Sequence, residues 1–126
     1  MRVVDTSAWI EWLVDSKLGE TIGKELPQPN EWLVPTIVQL ELAKWARRES
    51  RSDLADQLMA FTTTCIVVDL TTAIALVAAE LAAEYKLAIA DSIIYATARA
   101  YDGDLLTCDR HFEGLPRVKY VPKAGG

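Results

Sequence analysis

The sequence predicts an α/β fold, a mostly parallel sheet of about five strands with helices on both faces. Three observations predict it. Short apolar runs rich in β-branched residues recur along the chain, as in Val3-Val4, Leu33-Val34 and Ile66-Val67-Val68. The segments between them carry apolar residues at helical spacing. Strands that alternate with helices call for right-handed crossovers, and those make neighbouring strands parallel.

The first strand is Arg2-Val3-Val4, and it stops at Asp5-Thr6-Ser7, residues that start helices. Trp9, Ile10, Leu13 and Val14 place a helix next, and a second short one is expected over Leu18 to Leu26. Pro27 and Pro29 mark irregular chain before the second strand, Trp32-Leu33-Val34. After Pro35-Thr36, the spacing predicts a helix from Ile37 to Glu49. A partner helix from Arg51 to Thr62 carries Leu54, Leu58 and Phe61 inward and Asp53 in its first turn. The third strand is read over Ile66 to Leu70, with Thr71 or Thr72 capping an Ala-rich helix to Tyr85. Another helix runs from Ala90 to Tyr101 and ends at Asp102-Gly103. Leu105 to Cys108 is the fourth strand, and Val118 to Val121 a fifth, placed near an edge by Pro122.

The 126 residues fit one domain over 1–122, with a loose tail at 123–126. With 51% hydrophobic and 25% charged residues the composition is globular, not disordered. Cys65 and Cys108 sit in apolar runs and read as buried free thiols, which argues against a disulfide or zinc site. An acid at position 5 interrupts the first apolar run, so no secretory leader is expected. The uncharged stretch from Leu70 to Ala79 is far short of the roughly 20 residues a membrane helix needs, so a soluble, cytoplasmic protein is expected. The net charge of −5 speaks against a nucleic-acid partner, whose phosphates attract Lys and Arg. Local clusters outweigh the sum, and Lys44, Arg47, Arg48 and Arg51 form one.

In an open parallel sheet the binding crevice lies beyond the carboxyl ends of the strands. Asp5 follows the first strand and Asp109 the fourth. Glu41 interrupts the inward stripe Ile37, Val38 and Trp45, and Asp91 opens a helix beside Ile94 and Tyr95. Taken singly, each has an ordinary structural use. Asp5 suits an N-cap, Asp91 a helix first turn, Asp109 a turn and Glu41 a solvated position near Lys44. Four together at one sheet edge point to a shared site. Packed carboxylates either raise their pKa values or bind a cation, and oxygen ligands select Mg2+ or Mn2+. Such ions hydrolyse phosphodiesters. Glu80 and Glu84 read as a solvated helix face, His111 as a surface-loop histidine, and the four tryptophans as core or interface.

The motifs resemble the PIN-domain family, and within it the short VapC toxins. Asp5-Thr6-Ser7-Ala8-Trp9-Ile10, Thr36 to Leu42 ending in Glu41-Leu42, Ala90-Asp91-Ser92 through Ala98, and Leu105-Leu106-Thr107-Cys108-Asp109-Arg110-His111-Phe112 stand in the family's order. The resemblance implies a three-layer α/β/α sandwich and an endoribonuclease dependent on Mg2+ or Mn2+, with Asp5, Glu41, Asp91 and Asp109 as metal ligands. It makes Thr6 and Thr107 the hydroxyls that orient acids or water. It further implies a homodimer, an RNA substrate and a VapB-like antitoxin laid in a groove beside the acids. Ser92 departs from the small residue, often Ala, usual at its place. A PIN nuclease of RNA processing without an antitoxin fits the same residues. A receiver-like domain with Asp69 as phosphoacceptor fits less well, because the first strand ends in one acid and Lys123 stands close to the chain end.

Overall fold

Five strands meet in one wholly parallel sheet: β1 (Arg2–Val4), β2 (Trp32–Pro35), β3 (Ile66–Val68), β4 (Asp104–Thr107) and β5 (Val118–Tyr120), ordered β3-β2-β1-β4-β5. The computed structural model describes residues 1–123, so most of the expected loose tail, 124–126, lies outside the described residues. Among the described residues six α-helices lie between the strands: α1 (Thr6–Leu13), α2 (Lys17–Glu25), α3 (Thr36–Arg48), α4 (Ser52–Thr62), α5 (Thr72–Tyr85) and α6 (Ile89–Ala100). Strand order runs outward from β1 to β3 and then jumps back to β4. Right-handed crossovers therefore put the α1–α4 connections on one face and α5 with α6 on the other. The result is the expected three-layer α/β/α arrangement.

The sheet is the floor of the core. Val3, Val4, Leu33, Val34, Leu105 and Leu106 are fully buried, as strands covered on both faces must be. Above α1 and α4 an aromatic cluster forms from Trp9, Trp12, Trp32 and Phe61, with the Trp9 and Trp32 rings 4.7 Å apart. The core reading thus holds for three tryptophans, while Trp45 lines a surface groove. Gly103, expected only as a helix stop, is also required by close approach: a Cβ there would lie 2.7 Å from the Met1 carbonyl oxygen.

The helical boundaries fall within a residue or two of expectation. Thr71, not Thr72, caps α5 by accepting from the Ile74 N–H. The third strand is shorter than expected, ending at Val68 because β2, its one partner, ends at Pro35 opposite that residue. Cys65 and Cys108 are free, as expected. No helix among the described residues is long and apolar enough to cross a membrane.

Candidate active site

The reversal of strand order falls at β1 and β4, and the acids gather there. Asp5 continues β1 by one residue, its N–H donating to the Leu106 carbonyl at 2.8 Å. It holds the N-cap position of α1, yet its side chain makes no capping bond. Instead its Oδ2 accepts from Ser7 Oγ at 2.6 Å and from Thr107 Oγ1 at 2.8 Å. The capping use is therefore excluded by geometry. Asp5 is 4% exposed, and burial pushes its carboxyl above the usual range against the two hydroxyls that pull it down. The charges of Asp109 and Glu41 push it further the same way.

Ser7 is the residue that sequence reasoning missed. Its hydroxyl donates to Asp5, and its oxygen also accepts from the Cys108 N–H at 3.1 Å, tying the start of α1 to the end of β4. Thr107, fully buried, does the same from the other side: it donates to Asp5 and accepts from the Asp109 N–H at 2.9 Å. Thr6 turns away from Asp5 and donates to Glu41 Oε1 at 2.7 Å. Two successive residues at a helix start point about 100° apart, which sends their hydroxyls to different acids. The only advance signal for Ser7 was its place two residues after Asp5, a spacing shared by many helix starts.

Asp91 lies in the first turn of α6, where the helix N-terminus favours an acid. Its carboxyl is nonetheless pushed up to about 6, chiefly by burial, then by Asp109 and Asp5. His111 pulls the other way, and Glu41 adds a smaller upward push. Asp109 Oδ1 accepts from the His111 backbone N–H at 3.0 Å, so this acid also serves as a turn residue. His111 is at the surface, as the sequence predicts. It is 77% exposed, but its Nδ1 stands 3.0 Å from Asp109 Oδ1 and 3.9 Å from Asp91 Oδ2. A separation of 20 residues, spanning α6 and β4, gives no sign of that approach in the sequence.

Asp91, Asp109 and His111 each offer one ligand atom within 4.8 Å of the others. Asp5 sits behind this trio and Glu41 beside it, coupled to it by charge. Two carboxylates, one imidazole and two further acids, with no Lys or Arg pairing them among the described residues, suit a hard divalent ion. The donor set passes that chemical test. Of the expected basic cluster, Lys44 and Arg48 reach the site's edge, lining a groove with Thr6, Ile37, Leu40, Glu41 and Trp45. Arg51 pairs with Asp53, in the first turn of α4. Asp69 is exposed beyond the edge strand β3 and takes no part, which removes the receiver-like reading.

The PIN domain family model matches residues 2–118. Among solved structures, a toxin–antitoxin complex from Klebsiella pneumoniae contains a chain 22% identical to this one, covering 94% of this chain and 96% of that one with a TM-score of 0.81. The sarcin–ricin loop cleaving toxin VapC20 of Mycobacterium tuberculosis is 19% identical over 97% of this chain and 100% of its own, with a TM-score of 0.75. A DNA-bound VapBC from Salmonella typhimurium is 17% identical over 96% of each chain, with a TM-score of 0.71. At these identities the likeness is one of fold. No curated protein matches.

Proposed function

This chain belongs to the PIN domain family, and from that premise we propose that it is a metal-dependent endoribonuclease, the toxin of a VapBC-type toxin–antitoxin pair. The observation that carries the reading is the gathering of Asp5, Asp91 and Asp109 at the switch between β1 and β4, with no Lys or Arg paired to them among the described residues. Asp5, Glu41, Asp91 and Asp109 would hold Mg2+ or Mn2+, with His111 at the rim. An ion held by these residues would supply an activated water and offset the charge that builds on the phosphate.

The chain's own residues prepare this chemistry. Ser7 and Thr107 fix the Asp5 carboxylate from two sides, so it cannot rotate away as charge changes in front of it. Thr6 sets Glu41 by the same device. Asp91, its carboxyl pushed up to about 6 chiefly by burial and then by Asp109 and Asp5, is an acid whose charged form a nearby divalent cation would favour. Lys44 and Arg48 supply positive charge where an RNA strand would approach.

Partner and assembly follow the solved relatives, which are toxin–antitoxin complexes. An antitoxin segment would lie in the Ile37, Leu40 and Trp45 groove, and a homodimer would cover exposed apolar side chains such as Leu76 and Ile89. The deciding experiment is incubation of the purified protein with total RNA, with manganese or with chelator, followed by mapping of cut ends. New ends that need the metal support the reading; cleavage undiminished by chelator overturns it.

A further inference from the structure

The carboxylates lie between two grooves that carry positive charge. One is the Lys44 and Arg48 groove on the β2 side. On the β5 side a cavity of about 490 Å3 opens among Cys108, Arg110 and Glu113, which follow β4, and Tyr120, Pro122 and Lys123 at the end of β5. Along the carboxyl edge of the sheet the order is therefore α3 groove, Asp5 after β1, Asp109 after β4, then this cavity. A linear polymer laid from one groove to the other crosses the acids.

The cavity's chemistry matches one unit of such a polymer. Its volume falls within the roughly 300–1,000 Å3 of small-molecule sites. Tyr120, half-buried, offers a ring, and Pro122 and the nearly buried Cys108 give the cavity apolar surface. Arg110 and Lys123 put two cations around it, with Arg110 the direct neighbour of Asp109. Glu113 is exposed at the rim and can accept from a base amino group. By contrast, the groove of Leu70, Ala75, Ile89 and Ile93 is lined by no Lys or Arg, and in the cavity at Arg2 the one cationic side chain is already paired with Glu25 and Asp104.

We infer that this cavity is a nucleotide subsite, in which a base of single-stranded RNA stacks on Tyr120 while Arg110 and Lys123 hold its flanking phosphates. The inference rests on the ribonuclease reading and adds where the strand is gripped beside the cut.

The test is fluorescence anisotropy of a fluorescein-labelled, mixed-sequence RNA of about 12 nucleotides, in an Asp91→Asn background that prevents cleavage. Tyr120→Ala weakens binding roughly 5- to 150-fold, the range of one base–aromatic stack, and Tyr120→Phe restores it. Arg110→Ala and Lys123→Ala each flatten the salt dependence of log K by about 0.7. Both are exposed positions, so these two variants still decide the matter if Tyr120→Ala fails to fold. Unchanged affinity and salt slope in the three alanine variants overturn the subsite while leaving a wild-type enzyme that cuts RNA intact. Absence of any RNA binding, together with no metal-dependent cleavage by the wild type, overturns both readings.

Discussion

The two ends of the sheet treat their acids in opposite ways. At the amino end, Arg2 donates to both oxygens of Asp104, at 2.8 and 2.9 Å, and to Glu25 at 2.9 Å, with Lys119 a further 3.9 Å from Glu25. The Arg2 hydrogen bond holds the Asp104 carboxyl below its usual range. At the carboxyl end, Asp5 and Asp91 have no arginine partner among the described residues, and burial pushes both upward. Acids that serve the fold come paired with arginine. Acids left crowded without one carry a cost in stability, and that cost is what the proposed metal-binding role accounts for.

The sharpest way to break that comparison is to neutralise one acid at each end. Asp5→Asn or Asp91→Asn should lower metal-dependent RNA cleavage by more than 100-fold, since even a residue that merely supports a metal ligand is worth about 10- to 100-fold. Asp104→Asn should leave cleavage within a few-fold of wild type at temperatures where it stays folded. Initial rates on a labelled RNA with manganese decide it. A full-rate Asp91→Asn enzyme would mean the carboxyl-end acids are structural after all.

Thr107→Val comes next in size. It removes the hydroxyl that steadies Asp5 and accepts from the Asp109 N–H. Activity should fall about 10- to 100-fold with a raised metal requirement. Thr107→Ser should recover most of it, as measured by manganese titration of the cleavage rate. Recovery by valine as well would show that the bond to Asp5 is idle.

Arg2→Met probes the opposite end through stability. It strands two half-buried carboxylates, and melting should report a loss of about 1–3 kcal/mol with cleavage unchanged at low temperature. An unaltered melting temperature would erase the distinction between the two ends.

These ends differed in how far the sequence disclosed them. Asp5 and Asp109 could be placed at one edge because strand ends are legible in the runs that close at Val4 and Thr107, while Glu41 and Asp91 were read from their helix positions, and the structure brings the four into one neighbourhood. Contacts set by side-chain direction were not legible. Nothing in Asp5-Thr6-Ser7 says that the first hydroxyl reaches Glu41 and the second Asp5. The approach of His111 to Asp91 was not legible because it depends on how the turn after β4 folds back toward α6. The Arg2 network went unread for a similar reason. Its three carboxylate contacts come from α2 and β4, and only the pairing of β1 with β4 brings Arg2 opposite Asp104.

The smallest effect is also the most specific, because the two ends should titrate with opposite sign. In chelator, the folded-state carboxyl of Asp91 at about 6 lies above its unfolded value of about 3.9. Between those values the folded protein binds more protons, so this group's contribution falls as pH rises from about 4 to 6 and is flat above. After discounting for the half-open site, the change is on the order of 1 kcal/mol. Asp91→Asn removes it, so the metal-free variant should melt at or above wild type at pH 7 and draw level, or fall below, near pH 4. Asp104 behaves in reverse: with its folded value lowered, its contribution is present above the unfolded value and lost as the pH falls below it. Asp104→Asn should therefore be costly at pH 7 and increasingly harmless in acid. Manganese at 100 times its Kd should then raise wild-type stability by about 2.7 kcal/mol, with most of that gain absent from Asp91→Asn. Paired melting curves across pH, with chelator and with manganese, test all of this at once. An Asp91→Asn protein that melts clearly lower in chelator at pH 7 and keeps its manganese shift would make Asp91 a helix-supporting acid and leave the ion to other residues.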